Sequence, residues 1–405
     1  MINTDWRIAE PTVPFEHVSV EADPGGPGSK LSPEMRSRLV VDTVHDGDLL
    51  PVRLFDIPKF AARVESGTLM RDFIRERDWG ADLVARHLSR SLGIGGYYRV
   101  TIARVIVDFN RFPGVSTPDL GPLDRLAISP DLAPCLQNEH KRYVLEQCYD
   151  PVSVGMEQAI FEKLIKISIH TYDERNPSLT VRPMVSLLSR SHSYQQKSHL
   201  PYGLFDPMFP DVLASNCSKR ILRDRIALTL EKAGIHVEHN YPYCLPDGSL
   251  EMRCQPWFFF HYLRQNFERE NPDTTDDAAF AMVWSMLFNT NLRGSDGAAL
   301  SGYLHRFLKA PRDLSGKFDA ARIAYEHIDE YLNKNWNLVE RYRNSANRTS
   351  ALAIEVRKDL LVDFEDGIPV RTHDEQAKEI AETIADAIRI YLQDDRKGTE
   401  QEAKE

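Results

Sequence analysis

The chain has 405 residues, 42% of them hydrophobic and 27% charged, which is typical of a globular protein with one large domain and an insertion, or with two domains. A net charge of −10 argues against nucleic acid as the main partner, because phosphate binding needs a clustered basic surface. Five cysteines without a Cys-x-x-Cys pair, short apolar runs and no secretory signal predict a cytoplasmic protein with reduced cysteines and no membrane partner.

The first half of the chain predicts an α/β pattern after a loose start. Residues 1–36 are rich in proline and glycine and predict a loop or a loosely docked arm. The elements predicted after it are a strand over 38–44 that ends in His45, a helical region over 67–92, and a buried strand over 97–109 that ends at Asn110.

The second half continues this alternation and interrupts it once. The elements predicted here are a helix over 151–165, strands over 166–170 and 183–188, a helix over 218–233, a strand over 235–237, mostly helices over 257–345, a strand over 350–357, and a helix over 373–393. Alternating strands and helices favour a three-layer α/β/α sandwich with a mixed central sheet. The predicted organisation is an arm over 1–36, an α/β domain over 37–249 and 346–395, a helical insertion over 250–345, and a charged, frayed tail over 396–405.

Polar side chains stand where several apolar strands end. They are His45, Asn110, Arg111, His170, Glu355 and Arg357. In open α/β sheets, ligands bind in the loops beyond the strand ends, so we expect some of these side chains to converge. Two histidines and a carboxylate make a three-ligand zinc set with a position left for water, and a further carboxylate can act as general base. Arginine with asparagine can grip a substrate carboxylate.

Each of these residues also has an ordinary structural interpretation. His45 alone is more often a loop or core histidine than a ligand. Asp78 could cap a helix that begins near Trp79, and Asp108 could form a structural ion pair with Arg111. Glu355 and Arg357 could lie on the solvated face of an edge strand. Three other histidines follow strand candidates and could replace a predicted ligand, namely His192, His236 and His239.

The order of these motifs resembles the N-formylglutamate amidohydrolase family. The motifs are His45-x-Gly47, Asp78-Trp79-x-x-Asp82, Arg104-x-x-x-Asp108-x-Asn110-Arg111-x-Pro113, the strand-ending His170, and Ile354-Glu355-Val-Arg357-x-Asp359-Leu360. That family is related in fold to zinc carboxypeptidases and to the aspartoacylase and succinylglutamate desuccinylase group. The resemblance covers roughly residues 38–245 and 349–362, and its Asp-Trp and Asp-x-Asn-Arg pieces are the specific ones.

The resemblance implies roles for individual residues. It implies that His45 and His170 bind a divalent metal, with zinc favoured, and that Asp78 is the acidic ligand, with Asp82 as the alternate. It implies that Glu355 is the general base and that Arg357 steadies an oxyanion or a carboxylate. The residues that it places against the substrate are Arg104, Asn110 and Arg111. The chain departs from the family pattern at Val44, at Thr171 and in the helical insertion.

The predicted function is hydrolysis of an amide by metal-activated water. The expected substrate is small and anionic, either an N-acyl amino acid or the end of a small peptide. Two alternatives stay open. One is a catalytically idle member of this fold that binds a protein through its insertion, and the other is a carboxypeptidase-like enzyme that acts on peptide C-termini.

Overall fold

A mixed seven-stranded sheet lies at the centre of the protein. The computed structural model describes residues 5–113, 127–191, 206–246, 248–289, 295–305, 309, 312 and 314–402. The strands are β1 Arg7–Ala9, β2 Phe15–Ser19, β3 Leu39–Thr43, β4 Leu49–Pro51, β5 Gly96–Val100, β6 Ile165–Tyr172, β7 Val185–Leu188, β8 Val237–His239, β9 Ser350–Arg357, β10 Val362–Glu365 and β11 Ile368–Thr372. The order in the central sheet is β2-β5-β3-β6-β9-β7-β8, in which β2 and β7 run antiparallel to β5 and β9 and the other neighbours are parallel.

Helices cover both faces of this sheet, as the predicted sandwich requires. The helices are α1 Pro33–Ser37, α2 Pro58–Glu65, α3 Thr68–Glu76, α4 Ala81–Leu92, α5 Asn138–Val144, α6 Asp150–Ile160, α7 Asp211–Ala214, α8 Arg220–Lys232, α9 Leu250–Glu270, α10 Ala278–Leu287, α11 Ser295–Leu304, α12 Ser315–Lys334, α13 Asn337–Asn344 and α14 Asp374–Glu402. α4, α8 and α14 pack together on one face. α9 lies on the other face, where Arg253 donates to Ser153 of α6 at 3.3 Å. Among the described helices, none is both long and apolar enough to cross a bilayer.

The predicted strand over 97–109 is wrong beyond Val100. The chain turns after β5, and the backbone N–H of Ile106 donates to Ala103 at 2.9 Å. Ile102, Ala103, Ile106 and Val107 are all buried, so this apolar run reflects burial in a folded turn and not an extended strand. The turn brings Arg104 and Asp108 toward the same side of the molecule.

Residues 5–36 contain two of the strands, β1 and β2. Residues 15–19 form β2, which pairs with β5 along its whole length and is an edge of the central sheet. The proline- and glycine-rich stretch over 23–29 contains the expected turns. At the other end, α14 continues to Glu402, further than the helix predicted over 373–393.

A second apolar core lies among α7 and α9 to α13, beside the sheet. α9 belongs to both cores, because Leu250 and Cys254 pack with the sheet while Phe259 and Phe260 pack with the other helices. The domain boundary at residue 250 stays a prediction. The first turn of α9, which begins at this boundary, packs directly against the central sheet.

A fully buried polar row joins α9 to the sheet. Lys166 on β6 lies 2.9 Å from Asp42 Oδ2 on β3 and 2.7 Å from Glu251 Oε1 on α9. Ser168, two residues further along the same face of β6, donates to Asp42 at 2.8 Å. Burial opposes the charge on Lys166, but the two carboxylates hold its pKa above the usual value. These residues are not among those predicted from the sequence, although a lysine inside an apolar strand itself indicates a buried partner.

Candidate metal centre and active site

Two histidines meet at the carboxyl ends of adjacent parallel strands. His45 follows β3 by two residues, and His170 is the third-last residue of β6, which continues two residues beyond the predicted end. β3 and β6 are hydrogen-bonded neighbours, so their carboxyl ends lie side by side. The two imidazole centroids are 5.0 Å apart and both side chains are buried.

Asp78 lies between the two histidines. Its Oδ2 atom is 3.0 Å from His170 Nδ1 and 3.5 Å from His45 Nδ1. Its backbone N–H donates to the carbonyl of His45 at 3.1 Å, which ties the two segments together. α4 is capped by Gly80, whose φ of 88° is a left-handed conformation that favours glycine, so Asp78 is not the helix cap.

These three residues could hold a metal ion. One ligand atom from each lies within 4.8 Å of the others. Each histidine has one nitrogen beside a carboxylate, while His45 Nδ1 and His170 Nε2 are buried without a hydrogen-bond partner among the described residues. Buried nitrogens without partners are costly unless something binds them, so the donor set fits a divalent cation. His, His and carboxylate is a donor set that suits zinc.

The alternate acidic ligand is placed elsewhere. Asp82 lies on α4, where it forms an ion pair with Arg86 at 3.3 Å, and it is outside the group that could hold a metal. The geometry therefore favours Asp78 over Asp82. His236 and His239 are exposed, and His192 lies outside the described residues.

A second carboxylate, Asp108, supports this cluster. Asp108 Oδ1 is 2.9 Å from His45 Nε2, an arrangement that orients the ring and leaves Nδ1 toward the cluster. Arg104 contacts Asp78 at 3.4 Å and Asp108 at 3.3 Å, so much of its hydrogen-bonding capacity is directed to the cluster. Burial opposes the charge on Asp108, but Arg104, His45 and Arg111 hold its pKa well below the usual value.

Charges around the two candidate ligands are balanced in the same way. Burial opposes the ionised form of Asp78, but the hydrogen bond with His170 and the interaction with the nearby His45 hold its pKa well below the usual value. Burial also disfavours charge on His170, and the carboxylates of Asp78 and Glu355 outweigh it and raise the pKa of His170 to about 9. The carboxylates around the two histidines therefore favour a positive charge between them.

Asn110 and Arg111 stand at the rim of the cluster. The Asn110 backbone N–H donates to Asp108 at 2.9 Å, while its side-chain Oδ1 is buried without a partner among the described residues. Arg111 donates to Asp108 at 3.0 Å, which is the structural ion pair considered from the sequence, and its side chain is 37% exposed. Gly248 packs against this segment, and a Cβ there would lie 2.4 Å from the Arg111 carbonyl carbon. The backbone of Gly248 therefore packs closely against the backbone of Arg111.

Glu355 arrives beside His170 through the pairing of β6 with β9. The register pairs these two residues directly, so their side chains leave the same face of adjacent strands. Tyr243 donates to Glu355 Oε1 at 2.8 Å. Burial raises the pKa of Glu355, while the charge of His170 and the Tyr243 hydrogen bond oppose that rise. A buried carboxyl with a raised pKa is suited to general acid–base chemistry.

The structure assigns Arg357 a different local role. Its guanidinium donates to both carboxylate oxygens of Asp359, at 2.8 and 2.9 Å, and to the carbonyl of Arg182 at 3.2 Å. These bonds hold the Arg357 guanidinium near the end of β9. A role for Arg357 on an oxyanion stays a prediction.

Tyr243 was missed by the sequence analysis, and its removal gives a directional test. Without its hydrogen bond the pKa of Glu355 rises, so we expect Tyr243→Phe to move the acid limb of kcat/KM to higher pH. The measurement is a pH profile of hydrolysis, with Tyr303→Phe as control on the distant helix α11. An unchanged or lower apparent pKa would contradict the assignment of Tyr243 to Glu355.

No protein-family model matches the chain, and neither does any curated protein. Among solved structures, N-formylglutamate amidohydrolase from Ralstonia eutropha JMP134 is similar at 16% identity and a TM-score of 0.45, covering 94% of this chain and 98% of that one. A gene product from Agrobacterium tumefaciens is similar at 14% identity and a TM-score of 0.41, covering 88% and 92%. With TM-scores below 0.5, these likenesses do not bear on the chemistry of the site, which depends on its own geometry.

Proposed function

We propose that this protein is a metal-dependent amidohydrolase of the N-formylglutamate amidohydrolase type. The observation that carries the proposal is the buried group of His45, Asp78 and His170, directly beside Glu355, in which two ring nitrogens have no hydrogen-bond partner among the described residues. Such a combination suits a metal-dependent hydrolase, since three ligands leave room for water and a nearby carboxyl can take its proton. The sequence resemblance supports the same assignment.

His45, Asp78 and His170 would hold the ion, with zinc as the favoured metal. A divalent ion bound there supplies a Lewis acid that polarises the amide and lowers the pKa of water to about 7. Glu355 accepts the proton of the attacking water and donates it to the leaving amine nitrogen. Asp108 keeps the His45 ring in place through Nε2, and Arg104 neutralises the two carboxylates that it contacts.

The proposed substrate is an N-acyl amino acid, or a small peptide end, that bears a carboxylate. Arg111 presents a partly exposed guanidinium at the rim, and Asn110 offers a buried amide oxygen to which no described residue donates. A guanidinium grips a carboxylate through two parallel hydrogen bonds, and the Asn110 oxygen would accept from the substrate N–H.

Metal analysis and turnover test the proposal together. Purified protein should retain close to one divalent ion per chain, and it should hydrolyse N-formyl, N-acetyl or N-succinyl derivatives of glutamate or aspartate. Preference for peptide C-termini over these compounds would instead favour the carboxypeptidase-like alternative. Metal far below stoichiometric amounts, together with no hydrolysis across the panel after metal addition, would contradict the proposal and favour a binding protein.

Replacing Arg111 tests the carboxylate grip. We expect Arg111→Ala to raise KM for carboxylate-bearing substrates by about 10- to 100-fold, because a hydrogen bond to a charged group contributes roughly 1.5–3 kcal/mol. The effect on kcat should be smaller, and Arg111→Lys should recover only part of the loss. Arg220→Ala, at an exposed position on α8, is the matched control. An equal loss on the corresponding amide-capped neutral substrates would argue against the grip.

A further inference from the structure

A cavity lies at the opposite end of the sheet from the candidate metal cluster. Its volume is about 800 Å³, and Arg38, Lys163 and Thr349 line it just before β3, β6 and β9 begin. His170 is five residues beyond Ile165 on β6, or roughly 16 Å at about 3.3 Å per residue. The cavity is therefore separate from the candidate active site, and its size is in the range of small-molecule pockets.

Aromatic side chains form one wall of this cavity. The ring centroids of Trp257 and His261 on α9 are 4.5 Å apart, and the centroid of Phe161 lies 5.8 Å from that of Trp257. Burial and then the charge of Arg264 lower the pKa of His261 to about 4, so its ring is neutral at pH 7. A planar ring could stack or pack edge-on against this wall.

Three cations surround the same cavity and lack acidic partners. Arg38 donates to the Asn347 side chain at 2.9 Å, Arg348 to the carbonyl of Asn216 at 2.8 Å, and Lys163 to the carbonyl of Ser37. Within the described part of the chain, none of the three lies at ion-pair distance from a carboxylate. Each guanidinium has five N–H donors, and the neutral acceptor named for each arginine engages only part of them.

The positive charge of this lining contrasts with the acidic composition of the chain, in which acidic residues outnumber lysine and arginine by 60 to 50. Some arginines pair with carboxylates, as Arg389 does with Asp386, and others donate to backbone carbonyls, as Arg322 does to Tyr303. The one carboxylate on the cavity lining, Glu162, is exposed and makes no ion pair with the three cations among the described residues. The lining thus carries an excess of two positive charges next to an aromatic wall.

We infer that this cavity binds a small planar aromatic anion, with its ring against Trp257 and its charged group toward Arg38 and Arg348. A carboxylate, sulfonate or phosphate would fill the acceptor positions that the guanidinium groups lack. Both arginines line the same cavity, and among the described residues neither lies at ion-pair distance from a carboxylate. The site does not depend on the proposed hydrolase activity.

Fluorescence titration tests this inference with the probe 8-anilinonaphthalene-1-sulfonate. We expect saturable binding of one probe per chain, weakened about tenfold by Arg348→Gln and by Arg38→Gln. Binding of the neutral analogue N-phenyl-1-naphthylamine should change little in these two variants, because it lacks the anionic group. Trp257→Leu should weaken both probes, and Arg220→Gln on exposed α8 should affect neither. Circular dichroism and the Tm verify that each variant folds.

Three results would overturn the inference. The first is binding of the anionic probe at wild-type affinity by both Arg348→Gln and Arg38→Gln. The second is the absence of saturable binding by the folded wild-type protein, and the third concerns a variant at the metal cluster. His170→Ala, which changes only the opposite end of β6, should bind the probe like the wild type, and loss of probe binding there would place the probe in the metal cluster instead.

Discussion

His170→Ala is expected to abolish metal retention. His170 supplies one of only three ligands in the candidate group, and its Nε2 atom has no other partner among the described residues. Mutating a partner outside the ligand set typically costs 10- to 100-fold in metal affinity, so loss of a ligand should cost on the order of 100-fold or more. Elemental analysis after dialysis against a weak chelator measures the effect.

The matched control for this variant is His236→Ala, whose side chain is exposed and 63% accessible. It should retain metal like the wild type. A far-UV spectrum and a Tm are needed for both variants, because His170 is buried. If folded His170→Ala still holds one ion per chain after the same dialysis, then the proposed metal centre lies elsewhere or does not exist.

Glu355→Gln is expected to keep the metal and lose turnover. Glutamine has nearly the same shape, and its side-chain oxygen can still accept from Tyr243, so the pocket should stay intact. It cannot take a proton from water. General acid–base catalysis typically contributes 10²–10⁴-fold, so we expect kcat to fall by about that factor, or roughly 3–5 kcal/mol.

Amine release at saturating substrate measures kcat for this variant, and elemental analysis verifies the ion. Glu330→Gln, at an exposed site on α12, should leave both quantities unchanged. Hydrolysis by Glu355→Gln at the wild-type rate would reject Glu355 as the general base while leaving the metal centre standing. Loss of metal as well as turnover would instead assign Glu355 to the ligand set.

The sheet and the candidate metal ligands on it could be predicted from local sequence pattern, because these ligands lie at or just beyond the ends of the apolar strands. The apolar runs at 39–43, 165–172 and 350–357 are strands. A polar residue at or just beyond the end of such a strand is expected to lie where the strand leaves the sheet. His45, His170 and Glu355 were found in this way. Asp78 was predicted from the Asp-Trp motif, because the helical pattern around it does not indicate that it lies beside β3.

The remaining features depend on contacts that sequence periodicity does not encode. The apolar run after β5 is buried in a turn, and burial alone cannot separate a turn from a strand. Tyr243 reaches Glu355 across 112 positions of sequence. The Arg357 guanidinium donates to Asp359, two residues away, and this bond competes with any contact that Arg357 could make at a more distant site. The pairing of Asp108 with the His45 ring likewise depends on how the turn folds.

The buried polar row on β6 connects α9, the first helix of the helical segment, directly to the central sheet. Lys166 and His170 share one strand and one face, and Glu251 closes that face from α9. Detaching α9 would open a sealed charged cluster to water four residues from the proposed metal ligand. The two apolar cores should therefore melt in a single cooperative transition, and a chain shortened by residues 250–345 should lose its folded state together with its helices.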